Sequence, residues 1–214
     1  MKINWKKAMV GVALTAGLGA GLMWNRVTEV VDGDTFKLAN GQKVRMVGID
    51  APEMDKCGGM EAKKELEKNI LYKKVELTDL KVDQYGRILA LVYSQKKLVN
   101  QVMLKSGWAR WDGTRNSLGK TFSDADKEAR ENKSGVFGKC REPEKKECLI
   151  KGNIEKRSGE IEGGRKWYFF KGCSEYGAVV VEKELGEEWF CSEAEAVRAG
   201  YVKATNCFGK KAGE

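Results

Sequence analysis

Polar and apolar residues alternate over residues 27–31, again over 35–38, and again over 43–49. A period of two marks half-buried strands. Asn40-Gly41, between the second and third runs, is a strong two-residue hairpin turn. The period then changes. Over 60–72, Ala62, Leu66, Ile70 and Leu71 recur at helical spacing among lysines and glutamates. Residues 74–80, with Val75 and Leu77 apolar, and residues 87–93 read as two more strands. A helix is predicted over 97–107, with Leu98, Val99, Val102 and Met103 inward and Gly107 as its stop. Another is predicted over 122–132, with Ser123 as its cap. Five strands, with a helix between the third and fourth, fit a small Greek-key barrel of the OB type. With three helices around it, the fold class is α+β.

The remaining chain divides by composition. Residues 140–148 are charged and carry Pro143, which reads as a linker. Residues 149–208 then read as a small α+β module. Ile150-Lys151-Gly152-Asn153-Ile154, residues 167–170 and residues 188–190 are short strands. Residues 192–199 are a helix opened by a Ser192/Glu195 capping box and stopped at Ala199-Gly200-Tyr201. At the other end, Lys2, Lys6 and Lys7 precede an uncharged run over 8–24 bracketed by Trp5 and Trp24. A positive region before an apolar one is the form of a signal peptide, and the run is at the short end of what spans a bilayer. Cleaved signal and retained membrane anchor are both open for residues 1–24. In either case lysines on the amino side send the rest across the membrane, so the domain over 25–139 is expected outside the cytoplasm, secreted or anchored to the membrane's outer face.

Charge and side-chain inventory narrow the chemistry. The 214 residues carry a net charge of +8. Residues 1–140 hold 25 Lys/Arg against 17 Asp/Glu, while residues 141–214 hold 14 of each. The basic excess therefore lies with the barrel, and a basic surface attracts polyanions such as nucleic acid or anionic membrane. No histidine occurs. That excludes Ser-His-Asp and Cys-His sites and any histidine general base. A hydrolase built from this chain must use carboxylates, arginines and a metal-organised water. The six cysteines contain no Cys-x-x-Cys pair, which argues against the usual zinc spacings and for disulfides in an oxidising compartment. Six cysteines allow fifteen pairings, so the connectivity stays open.

The hairpin collects acids that lie apart in sequence. Asp34 opens the second strand, and Asp50 and Glu53 follow the third, with Arg45 between. Neighbouring carboxylates repel, and a hard dication such as Ca²⁺ resolves that repulsion. Either Asp32-Gly33-Asp34 or Asp50-Ala51-Pro52-Glu53 alone reads as ordinary turn chemistry. A third element, Asp83-Gln84-Tyr85-Gly86-Arg87, changes the balance. These three motifs, in this order and spacing over residues 26–138, resemble the staphylococcal nuclease-like (thermonuclease) family.

That resemblance implies an OB-fold nuclease hydrolysing phosphodiester bonds of DNA, with RNA left open and little sequence specificity. It implies Ca²⁺ as cofactor, held by Asp34, Asp50 and the backbone carbonyl of Ala51, where the family often has threonine. Glu53 would hold or activate the attacking water. Arg45 and Arg87 would grip the scissile phosphate, a task suited to planar, always-charged guanidinium. Tyr85 would hydrogen-bond phosphate, and Trp111 or Trp108 would supply a stacking face for a base. Gln84 stands where the family prototype has lysine. Asp32 is assigned to ordering the turn. The alternative is a catalytically inactive OB-fold module that only holds nucleic acid, which predicts loss of the acids or arginines. A monomer is expected, with no protein partner indicated. The tail resembles a small module appended to exported bacterial thermonucleases. It is also faintly similar to the metal-binding module of bacterial alkylation-repair proteins, although a four-cysteine zinc pattern is not evident.

Overall fold

A computed structural model describes residues 25–114, 117–155, 164–207 and 212. The apolar run over 8–24 lies outside these. Among the described residues no helix is long and apolar enough to cross a membrane.

The barrel strands are β1 (Val27–Val30), β2 (Thr35–Leu38), β3 (Lys43–Met46), β5 (Glu76–Val82) and β6 (Ile88–Ser94). They run in the order β1-β2-β3-β6-β5, all neighbours antiparallel except β3 and β6. The two ends of this sheet meet. Arg26 bridges Lys74, the Val27 N–H donates to the Lys73 carbonyl at 3.0 Å, and the Val75 N–H donates to the Asn25 carbonyl at 3.0 Å. The start of β1 is thus laced to the stretch entering β5, which is the closure an OB barrel requires. Two short strands outside the barrel, β4 (Ile49–Asp50) and β8 (Arg110–Trp111), pair antiparallel, and β7 (Lys97–Leu98) pairs with β6.

Three helices cover the barrel: α1 (Gly59–Ile70), α2 (Val99–Lys105) and α3 (Gly119–Glu131), followed by the single turn α4 (Val136–Lys139). α1 forms because Ala62, Leu66 and Ile70 fall on one face and are all buried. They join Val27, Phe36, Val44, Met46, Ile49, Val92, Met103, Leu104 and Phe122 in one core. Each such side chain contributes about 1.5–3 kcal/mol by leaving water, so Phe36→Ala, at a site with no exposure, would cost about 3–5 kcal/mol.

Two helix boundaries differ from the sequence pattern. Lys97 and Leu98 are strand, because Gln95 and Lys96 both take positive φ and turn the chain back onto β6. Ser123 lies inside α3, which starts at Gly119 without a side-chain cap. Gly107 does end α2, at φ 71°, and a Cβ there would lie 2.3 Å from the Ser134 carbonyl oxygen.

The tail is a four-stranded sheet, β11-β9-β10-β12, from β9 (Ile150–Glu155), β10 (Arg165–Phe169), β11 (Trp189–Phe190) and β12 (Val202–Lys203), with the short helix α5 (Glu193–Arg198). Its core is small: Ile150, Tyr168, Phe169, Phe170, Phe190, Ala196 and Tyr201, with Cys173 and Cys207. Gly152 of β9 belongs there because a Cβ would come within 2.7 Å of the Phe190 and Tyr201 rings. Ser192 caps α5, accepting from the Glu195 N–H at 3.2 Å, while the Glu195 carboxylate accepts from the Cys191 N–H. The six cysteines form three disulfides, Cys57–Cys140, Cys148–Cys191 and Cys173–Cys207. Two of them staple the tail, whose core is too small to dispense with them. The third fastens the loop before α1 to the end of α4.

Candidate active site

Asp34 sits where the chain turns from β1 into β2. The Asp32 carboxylate makes that turn, accepting from the Asp34 N–H at 3.0 Å and the Thr35 N–H at 2.8 Å. Gly33 is required there, because a Cβ would lie 2.6 Å from the Cβ atoms of both Ala51 and Ala62. The missing side chain lets the turn before β2, the segment that follows β4, and α1 converge. Asp34 is consequently 2% exposed. One of its oxygens, Oδ1, accepts from the Thr35 hydroxyl at 2.9 Å and from the Arg45 guanidinium; Oδ2 accepts from the Ala51 N–H at 2.9 Å.

Arg45 reaches this carboxylate from β3, whose residue 45 lies directly opposite Thr35. Its second nitrogen donates to Asp50 at 2.8 Å. One guanidinium therefore serves two carboxylates. Burial pushes the Asp34 carboxyl up to about 7, against the opposing pull of Arg45 and the Ala51 and Thr35 donors. Burial lowers Arg45 as well, but Asp34 and Asp50 outweigh it and hold the arginine above its ordinary value. Burial, together with the nearby Asp32 carboxylate, thus outweighs the arginine and the two donors.

Glu53 lies three residues beyond Asp50, exposed. Its backbone is fixed by a tight reversal: the Lys56 N–H donates to the Glu53 carbonyl at 2.9 Å, and a Cβ at Gly59 would lie 2.1 Å from that same oxygen. Its carboxylate makes no hydrogen bond or ion pair among the described residues. Asp50, Ala51, Pro52 and Glu53 line a cleft of about 260 Å³ with Lys56, Arg110, Glu184 and Leu185.

Arg87 comes from another hairpin. The β3–β6 pair is parallel, with Arg45 opposite Leu89 and Val44 opposite Ile88. Alternation along the strand puts residue 87 on the Arg45 face, two residues before its partner. The Asp83 carboxylate holds Arg87, accepting from its Nε at 2.7 Å and its backbone N–H at 2.9 Å. Burial raises the Asp83 carboxyl, but these bonds and the Tyr85 N–H outweigh it, and the group ends below its ordinary value. Tyr85 is 74% exposed, and Arg87 lies 5.5 Å from its ring centroid. Trp111 is half-buried against the barrel core, with its backbone opposite Ile49 and its N–H donating to Asp126 at 3.0 Å. The other tryptophan considered as a stacking face, Trp108, packs between the main core and the small cluster around Phe137.

The structure thus joins Asp34, Arg45, Asp50 and Ala51 through hydrogen bonds and sets Glu53 in the adjoining cleft. Arg87 and Tyr85 form a second cluster at a hairpin tip on the same sheet. Among the described residues no three acidic or cysteine side chains converge as a ready-made metal cage. The available donors are nonetheless all oxygen, since no histidine exists and the cysteines are in disulfides. That set, with one buried carboxylate, fits a hard dication that keeps much of its water shell and suits no soft metal. Thr35, Asp83 and Gly59 at the start of α1 are supports that the alternating pattern does not single out. For Thr35 and Asp83 the available signal is adjacency: each lies within the motifs already marked.

The staphylococcal nuclease homologue family profile matches residues 43–139. A protein named uncharacterized endonuclease from Escherichia coli is 34% identical over 116 residues, covering 52% of this chain and 75% of the relative. Another of that name, from Haemophilus influenzae, is 42% identical over 88 residues, covering 39% of this chain and 49% of the relative. A micrococcal nuclease from Shigella flexneri is 32% identical over 126 residues, covering 52% of this chain and 71% of the relative. The chain therefore spans about half the length of the Haemophilus relative and about three quarters of the Escherichia one.

Proposed function

The chain belongs to the staphylococcal nuclease family, and from that premise we propose that it is a calcium-dependent nuclease hydrolysing phosphodiester bonds of DNA, with RNA left open as a further substrate. The observation that carries this reading is the sharing of Arg45 between Asp34, which is buried, and Asp50, which is exposed. Two carboxylates on one guanidinium leave a surplus negative charge beside a cleft.

Asp34, Asp50 and the Ala51 carbonyl are the groups that would hold calcium. Bound there, the ion would supply Lewis-acid chemistry, offsetting negative charge on the phosphate. The remaining work falls to side chains. Glu53, exposed on the cleft wall, takes a proton from the attacking water at its carboxylate. Arg87 and the outer edge of Arg45 bind the non-bridging phosphate oxygens, whose charge grows toward the transition state. Tyr85 offers a hydroxyl to a phosphate, and the exposed part of Trp111 offers a stacking face. None of these contacts reads base identity, so cleavage is nonspecific. The 8–24 run and three disulfides support export to an oxidising compartment.

The test is cleavage of a labelled single-stranded DNA by the purified protein, in calcium and in a calcium chelator. Cleavage is expected in calcium alone. Cleavage persisting in chelator, or absent in calcium, overturns the proposal.

A further inference from the structure

Asp50 of β4 and Arg110 of β8 are direct partners in an antiparallel pair. Directly opposed residues project from the same face about 4.5–5.5 Å apart at Cβ, the arrangement in which an aspartate and an arginine pair. Here they do not. The Arg110 guanidinium donates to Glu182 at 3.1 Å and to Glu184 at 3.0 Å, both from the tail module. Asp50 turns instead to Arg45. The Glu184 side chain has no solvent exposure and is gripped a second time, by both terminal nitrogens of Arg141.

The glutamates are themselves fixed. The Glu187 carboxylate accepts from the Glu182 N–H at 2.8 Å, from Asn153 at 2.9 Å and from the Ile154 N–H at 3.0 Å. The Lys183 N–H donates to the Cys140 carbonyl, and the Trp189 indole N–H donates to the Arg141 carbonyl at 3.0 Å. Glu184 and Leu185 so form one wall of the cleft that Asp50 and Glu53 line.

We infer that Glu184, assisted by Glu182, is a positioning residue for the metal site: it holds Arg110 off Asp50. This inference rests on the calcium reading above. An arginine free to swing onto Asp50 would be a built-in competitor for the dication. The tail module thereby becomes part of the working nuclease, acting through Arg110 on a ligand it does not touch.

The test is calorimetric titration of the full chain with calcium alone, without nucleic acid. Glu184→Gln is expected to weaken calcium binding about fivefold, the size of a strong cross-strand ion pair. Adding Arg110→Met to Glu184→Gln is expected to restore the affinity, which a loss of packing alone would not allow. Should Glu184→Gln fail to fold, Glu182→Gln, on the more exposed carboxylate, carries the same prediction at about twofold. Unchanged calcium affinity in a folded variant overturns the inference, as does a weakening that Arg110→Met leaves in place. A wild-type chain that binds no calcium is a separate result, which removes the calcium reading and this inference with it.

Discussion

Two clusters of arginine and carboxylate lie on either side of one cleft. In the barrel, Arg45 serves Asp34 and Asp50. At the seam with the tail, Arg110 and Arg141 serve Glu182 and Glu184. Both clusters bury a carboxylate almost completely, Asp34 at 2% exposure and Glu184 at 2%. They differ in charge count. The seam is balanced and fully hydrogen-bonded, as a docking contact must be when desolvation is expensive. The site sets two carboxylates, Asp34 and Asp50, against the single Arg45, and burial pushes its aspartate up to about 7. A balanced buried cluster holds parts together; an unbalanced one beside a cleft is built for something that arrives from outside.

The most severe way to break this comparison is to remove the cation the site does have. Arg45→Met leaves Asp34 buried without a partner. The fold is expected to lose about 3–5 kcal/mol in a urea melt. Cleavage is expected to fall about a thousandfold, because the same residue is the one proposed to grip the phosphate. A variant that keeps its melting midpoint would show that Asp34 tolerates burial without Arg45. The imbalance would then carry no meaning.

A second prediction separates the two regions by what stabilises them. The barrel has a continuous apolar core, whereas the tail leans on two disulfides. Replacing Cys173 and Cys207 together by serine should cost the tail about 2–5 kcal/mol. Limited proteolysis is expected to cut within the tail first and to leave a barrel-sized fragment. Uniform digestion of the whole chain would mean that seam and barrel unfold as one unit, and the distinction between docking and binding clusters would lose its mechanical basis.

What the chain discloses in advance follows the same division. The barrel was legible because its periodicity is local: alternation marks β1 to β3, and a four-residue spacing marks α1. Its acids and arginines lie in three short motifs. The strand at Lys97–Leu98 was not, since the reversal at Gln95 and Lys96 depends on positive φ in residues without a glycine signature. Nor was the start of α3 legible, because Gly119 follows no capping side chain. The seam was invisible for a different reason. Arg110 and Glu184 are 74 residues apart, and each alone reads as a solvated charge. Only the closure of the tail onto the barrel, through Cys140, Arg141 and Trp189, brings them together. Glu182 and Glu184 look like surface acids in the sequence, and Glu184 is among the most buried side chains in the chain.

The mildest prediction concerns Arg87, which belongs to neither cluster. Its partner Asp83 lies in the same hairpin, so the pair is local and its side chain stays 31% exposed. Arg87→Lys keeps the charge but loses the planar fork that Asp83 orients through Nε. The melt is expected to change little, because lysine can keep an ion pair with the partly buried Asp83 and local pairs of this kind add little to stability. The maximal rate is expected to fall about a hundredfold, the loss of one well-aimed donor to a developing charge. Substrate affinity should change less, since a lysine still attracts phosphate as a point charge. If affinity falls and the maximal rate holds, Arg87 serves ground-state binding. The phosphate's growing charge would then rest on Arg45 and the bound cation alone, and the one-cation shortfall around Asp34 would be the whole electrostatic device.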